Sequence, residues 1–230
     1  MNVFAIGDTH LSLGADKPMD IFKGWDNYVS RLEENWRAVV SEDDVVVICG
    51  DISWSMSLEG AEADLRFLHS LPGKKIIMKG NHDYWWNTKR KMELFLSEKG
   101  LDSIKILFNN AYRFGNLTVC GSRGWFFDDE SGSDKKVLLR EAGRLRLSIE
   151  EGKKLGGEIV AFLHYPPVTT LQKCEEMLSV LTEAGIKRCY YGHLHGSSVF
   201  NAFTSELDGI KFDLISADYL RFCPKLIGNF

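Results

Sequence analysis

Five short apolar runs in this chain each lead into a turn that carries Asp, Asn or His, and this recurrence restricts its fold more than any other feature. Val3–Ile6 runs into Gly7-Asp8-Thr9-His10, and Val45–Cys49 into Gly50-Asp51. Ile76–Met78 leads to Gly80-Asn81-His82-Asp83, Val160–Leu163 to His164-Tyr165-Pro166-Pro167, and Arg188–Tyr191 to Gly192-His193-Leu194-His195. Runs of this length, rich in Val and Ile and bounded by turn residues, read as strands. Val45–Cys49 is apolar at every position, as expected of a central strand covered on both faces. Parallel strands present their carboxyl ends along one edge of a sheet, where ligands bind. Residues far apart in sequence therefore converge there, and glycine permits the sharp turn and close backbone approach.

Helical patterns over 27–40, 58–70, 87–98 and 171–184 separate these strands, which gives stacked βα units. Gly185 is placed to end the last helix as its C′ residue. The second half adds Tyr112–Phe114, Leu117–Cys120, Val199–Phe203 and Ile210–Ile215 as strands, with Gly115-Asn116 and Asp208-Gly209 as hairpin turns. Two mixed sheets packed face to face with helices outside satisfy both halves. With no linker and no internal repeat, 1–230 reads as a single α/β domain.

Two segments fit no layer: Leu11–Gly24, and Ser122–Ser133 with Trp125, Phe126 and Phe127. Long loops in compact domains often bind ligands. Over 134–151, Leu138, Ala142, Leu145 and Ile149 share one helix face, while Lys136, Arg140 and Arg144 form another stripe. This helix reads either as a cap or lid over 122–151 or as an outer-layer helix. The tail Tyr219–Phe230 is apolar enough to pack on a sheet or on a partner.

A net charge of −4 counts against a general nucleic-acid or anionic-membrane binder. No apolar run approaches the ~20 residues needed to span a bilayer. The N-terminus lacks a basic stretch followed by a long apolar one and reads directly as a strand, not a signal peptide. Five cysteines without a C-x-x-C pair read as reduced thiols of a cytoplasmic protein.

Of six histidines, only His69 lies inside a helical pattern. The sheet edge collects Asp8, Asp51, Asn81, His10, His82, His164, His193 and His195. Carboxylate and amide oxygens together with imidazoles suit Mn²⁺, Zn²⁺ or Fe, and so many imidazoles argue against a site specialised for Mg²⁺ or Ca²⁺. There are more ligands here than one ion needs. Two ions about 3.5–4 Å apart can share a carboxylate and hold a hydroxide for in-line attack at phosphorus.

The ordered series Asp-x-His, Gly-Asp, Gly-Asn-His-Asp, His, Gly-His-x-His, spanning Asp8 to His195, resembles the calcineurin-like metallophosphoesterase superfamily. The resemblance implies a four-layer α/β/β/α sandwich and a metal-dependent phosphohydrolase that cleaves a small phosphomonoester or phosphodiester. Carried over by motif, Asp8, His10 and His195 hold one divalent ion, Asn81, His164 and His193 hold a second, and Asp51 bridges both. His82 faces the substrate as the acid for the leaving alkoxide, and Asp83 hydrogen-bonds its other ring nitrogen. The attacking hydroxide is available because the ions lower the pKa of water from about 15.7 toward about 7. Other functions on this fold are a non-catalytic scaffold, a protein phosphatase or a nuclease. No metal ligand is lost, the family's phosphatases usually carry Glu where this chain has Asp83, and the acidic balance disfavours nucleic acid.

Substrate contacts are less constrained. Arg123 is a candidate phosphate clamp or an ordinary surface arginine. Tyr84 and Trp85 either stack on the substrate or pin the next helix to the sheet. Lys89-Arg90-Lys91 either attracts an anion or forms a solvated helix face. The sequence leaves any oligomeric partner open.

Overall fold

The computed structural model describes residues 1–125 and 132–229, the side chains of 132–134 excepted. In chain order the elements are β1 (Asn2–Ile6), α1 (Tyr28–Val39), β2 (Val45–Ile48), α2 (Glu62–Ser70), β3 (Lys74–Ile77), α3 (Lys89–Glu98), β4 (Ile104–Ile106), β5 (Tyr112–Phe114) and β6 (Leu117–Ser122). There follow α4 (Gly132–Leu155), β7 (Glu158–Leu163), α5 (Glu175–Glu183), β8 (Arg188–Tyr191), a 3-10 helix (Gly196–Asn201), β9 (Glu206–Leu207), β10 (Ile210–Leu214) and β11 (Lys225–Asn229).

One sheet has the order β11-β1-β2-β3-β4, and the other β5-β6-β7-β8-β10-β9. In each, the inner strands run parallel. Antiparallel strands β11, β5 and β9 close three of the four edges. Alternation along the strands builds three apolar layers. Phe4, Ile6, Val46 and Ile48 face α1, α2 and α3 through Leu32, Trp36, Leu65, Leu68 and Met92. Val3, Ala5, Val45, Val47 and Cys49 point the other way, against Val119, Val160, Phe162 and Tyr190 of the second sheet. Cys120, Ala161, Leu163 and Tyr191 face α4 and α5. The result is the expected α/β/β/α sandwich, and it explains why β2 is apolar throughout. Burying a Val, Leu or Ile side chain in this way contributes about 1.5–3 kcal/mol.

Several elements differ from the sequence expectation. Val199–Phe203 is not a strand: the 3-10 helix covers Val199–Asn201. Its first turn is closed by the Ser198 amide and hydroxyl, which both bond the His195 carbonyl, 3.2 and 2.7 Å away. Phe200 is left exposed, and Glu206–Leu207 supplies the edge strand instead. The three-residue β4 is too short to show a period. The tail resolves into β11, paired with β1. α2 and α5 begin about a turn later than their apolar patterns. At the far end of α5, Gly185 takes φ 72° and sits at C′ as anticipated.

α4 packs on β6 through Leu138, Ala142, Leu145 and Ile149. The Ser148 hydroxyl ties it down, accepting from the Gly121 amide at 2.9 Å and donating to the Asn110 carbonyl at 2.6 Å. The helical part of the expected 122–151 lid is therefore an outer layer of the sandwich. Residues 126–131 of that segment, with Phe126 and Phe127, lie outside the described residues. No described helix is long and apolar enough to cross a membrane.

This placement predicts unequal leucines on α4. Leu145→Ala, at a buried position, should lose about 2–5 kcal/mol in urea unfolding, whereas Leu139→Ala, at an exposed one, should stay within about 0.5 kcal/mol of the parent. Equal losses would mean that α4 does not present this face to β6.

Candidate metal centre

The carboxyl ends of β1, β2, β3, β7 and β8 meet along one edge, and hydrogen bonds there join the two sheets. The His193 amide after β8 donates to both oxygens of Asp8 after β1, each at 2.9 Å. His164 Nδ1, after β7, lies 2.9 Å from the Cys49 carbonyl at the end of β2. Within the first sheet, the His82 amide donates to Asp51 Oδ1 at 2.8 Å.

These turns are tight. Asp8, His10, Asp51 and His193 take φ of 54°, 44°, 49° and 71°, a region that is uncommon for residues with a Cβ and costs about 1–3 kcal/mol each. The glycines between them leave no room for a side chain. A Cβ on Gly50 would lie 2.6 Å from Gly80 Cα, and one on Gly80 would overlap the Asp51 carboxylate. Strain concentrated here, and held by cross-sheet hydrogen bonds, marks the edge as the functional part of the fold.

Asp8, Asp51 and His164 are buried, and each offers a ligand atom within 4.8 Å of the others. Asn81 Oδ1 lies 2.6 Å from His164 Nε2 and 2.9 Å from His193 Nδ1. His10 is buried with Nε2 at 3.8 Å from Asp51 Oδ2, and neither of its ring nitrogens has a hydrogen-bond partner among the described residues. The His195 ring stands 5.2 Å from that of His10.

Burial and the charge of Asp51 push the Asp8 carboxyl well above its usual range, and burial raises Asp51 as well. Burial pushes the imidazoles the other way, His10 well below its ordinary value and His164 and His193 down to about 3. The histidines are therefore neutral, and their approaches to carboxylates at 3.5 to 3.9 Å are not ion pairs. With Nδ1–H donating to Cys49, His164 Nε2 keeps a lone pair aimed at Asn81 Oδ1, a second donor of electrons. Two buried carboxylates, lone-pair imidazoles and the orphaned His10 nitrogens lack only a cation, so the residues fit divalent metal. The His164–Cys49 bond is the kind of contact that orients a metal-binding imidazole.

Five other residues, Asp83, Tyr84, Trp85, Arg123 and His69, occupy positions that bear on the expectations. Asp83 does not bond His82. Its Oδ1 accepts from the amides of Ile52 (2.8 Å) and Ser53 (3.3 Å) and from the Trp85 indole (2.9 Å), and its Oδ2 from the Gly80 amide (2.7 Å). Burial, followed by Asp51, pushes Asp83 up to about 7. It holds the two metal-edge turns together, and His82 Nδ1 lies 3.5 Å from the Tyr84 hydroxyl instead. Trp85 is buried, so it packs the core and cannot stack on a substrate, whereas Tyr84 is exposed. Arg123 points at Glu141 (3.4 Å) and lies over the Trp125 ring, while its carbonyl accepts from the His164 and Tyr165 amides. Its guanidinium lines a separate small cavity with Lys79 and Arg144. His69 is remote, bonded to Ser103 at 2.9 Å.

Trp25 and Trp54 stand against the site's histidines; Trp25 closes the loop after His10 that the sequence singles out, whereas Trp54 is not anticipated from sequence. Trp54 stacks on His10 at 4.9 Å and lies 4.6 Å from His82, and Trp25 is 5.8 Å from His10. The one signal for Trp54 is its place three residues after Asp51.

A family model described as calcineurin-like phosphoesterase matches residues 1–197. No curated protein matches the chain significantly. Among solved structures, a protein of unknown function from Aquifex aeolicus is similar at 15% identity and a TM-score of 0.53, with 98% of this chain and 95% of that one covered. The phosphopantetheinyl hydrolase of Mycobacterium tuberculosis is similar at 15% identity and 0.55, again covering 98% and 95%. A protein from Thermus thermophilus is similar at 12% identity and 0.52, covering 84% and 81%. At these identities the likeness concerns the fold.

The crowding at Gly80 predicts that Gly80→Ala displaces Asp51. Elemental analysis of dialysed protein should show at least half of the bound divalent metal lost. Excess Mn²⁺ should raise the Tm of the parent and not of the variant, since an ion at about 100 times its Kd adds about 2.7 kcal/mol. Equal metal content and equal stabilisation in the two proteins would show that the Asp51 geometry does not hold the ion.

Proposed function

The chain belongs to the calcineurin-like phosphoesterase family, and from that premise we propose that it hydrolyses a phosphate ester of a small molecule at the edge where Asp8, Asp51 and His164 converge. The observation that carries this reading is the buried set of oxygen and imidazole donors around two carboxylates that, among the described residues, have no Lys or Arg paired to them. Two divalent ions, Mn, Zn or Fe by donor type, are proposed there. Asp8, His10 and His195 would hold one, Asn81, His164 and His193 the other, with Asp51 between them. Bound there, the ions would polarise the phosphoryl oxygens and acidify a water for attack at phosphorus.

The protein's own groups do the rest. The Gly80 and Ile52 amides fix Asp83, and Asp83 fixes the turns that carry Asp51 and Asn81. The His193 and His82 amides orient the two carboxylates. The His82 ring is half-buried at the mouth of the site, and we assign it the proton that the leaving oxygen needs. The same reading takes the chain as one domain working in a reducing, cytoplasmic compartment, which suits its free cysteines.

His82→Ala should lower turnover of p-nitrophenyl phosphate or bis-p-nitrophenyl phosphate about 100-fold or more, with metal content unchanged. Asp51→Asn should lose metal and activity together. Absence of turnover by metal-stripped protein resupplied with Mn²⁺, Zn²⁺, Fe²⁺ or Mg²⁺ would overturn the hydrolytic reading in favour of a non-catalytic scaffold. Activity on phosphopeptides far above that on small esters would replace the small-molecule substrate with a protein.

A further inference from the structure

A cleft of about 320 Å³ opens directly against the metal edge, and its walls are largely apolar where the edge is polar. His82 and His195 line it together with Met19, Phe22, Trp25 and Trp54, and Lys23 and Gly196 complete the lining. Resting on the hydrolytic reading above, we infer that this cleft receives the leaving alcohol of the substrate, and that this alcohol carries an apolar, ring-sized body.

In-line attack places the leaving oxygen on the far side of phosphorus from the incoming water. The group that protonates it must stand beside it, and His82 both borders the edge and lines the cleft. Whatever is attached to that oxygen therefore continues into the space beyond His82. The two regions share their histidines: the Trp54 ring lies 4.6 Å from that of His82, and the Trp25 ring 6.3 Å from that of His195.

A sugar or polyol needs several hydrogen-bonding groups along the walls, and this cleft offers few. Among the described residues, Lys23 is the one Lys, Arg, Asp or Glu that lines it. The Gly196 amide is already engaged by Asp218 at 2.7 Å. Phe22, on its wall, is more than half exposed. Apolar side chains that line one opening mark a binding site, and the volume suits a small ring-bearing molecule.

Leu11 and Trp54 are joined by a backbone hydrogen bond of 2.9 Å, and Trp25 packs against Tyr28 and Phe222. The walls are thus held in place before a ligand arrives, which lowers the ordering cost of binding.

The test compares phenyl, 4-ethylphenyl and 4-butylphenyl phosphate, whose leaving groups differ in apolar area and little in basicity, with Mn²⁺-loaded protein. kcat/KM should rise about 3-fold per added methylene until the cleft is full. Calorimetric Kd values for the matching arylphosphonates, which are not hydrolysed, should fall in parallel with a negative heat-capacity change. Phe22→Ser, at an exposed position that the fold does not need, should at least halve the butyl-to-phenyl ratio in both measurements. Turnover without any gain along the series, or a gain that Phe22→Ser leaves intact, would overturn the inference. Tighter phosphonate binding with no ester hydrolysed would overturn the leaving-group assignment together with the hydrolytic reading.

Discussion

Asp8 and Asp51 are two carboxylates brought together out of water with no Lys or Arg among the described residues paired to either, and most of what is unusual in this structure follows from holding them there. An uncompensated buried charge costs far more than a typical domain's net stability. The backbone relieves part of that cost with amides from His193 and His82. The remainder calls for a cation, to which the neutral imidazoles contribute lone pairs. The positive φ angles and the glycines without room for a Cβ are what it takes to bring these groups so close.

The sandwich architecture serves the same end. A single open sheet presents its strand ends from one side only. Here two sheets end at one edge and are joined across it, by His164 to Cys49 and by His193 to Asp8. The donors on the second sheet are thus set against those on the first by hydrogen bonds that also close the top of the core. Asp83 works from beneath. All four of its bonds hold the turns after β2 and β3, so its contribution is to the shape of the site, and His82 is left facing the cleft.

Around this polar edge the surroundings divide sharply. On one side lies the aromatic cleft of Trp25, Trp54 and Phe22; elsewhere Arg123 and Arg144 form a charged cluster on Glu141 Oε1. Arg123 illustrates how sequence position and side-chain direction part company. Its carbonyl touches the His164 turn, yet its guanidinium is directed to Glu141 on α4.

Much of the fold was legible because it rests on local period and punctuation. The all-apolar β2, the four-residue spacing on α4 and the glycines ahead of Asp8, Asp51, Asn81 and His193 are properties of short windows of sequence, and they determined the layers and the order of the candidate ligands. Tertiary structure decided what depends on partners from elsewhere in the chain. Asp83 binds amides 30 and 31 residues away in place of its neighbour His82, and the His193 amide meets a carboxylate 185 residues away. Trp85 is claimed by the core and Trp54 by the site, although both are tryptophans just beyond a metal-edge turn. Val199–Phe203 has the composition of a strand, but Gly196–Asn201 folds as a 3-10 helix whose first turn Ser198 closes on the His195 carbonyl. A sequence window shows what a residue is able to bond, and the packed chain alone decides which of those bonds is within reach.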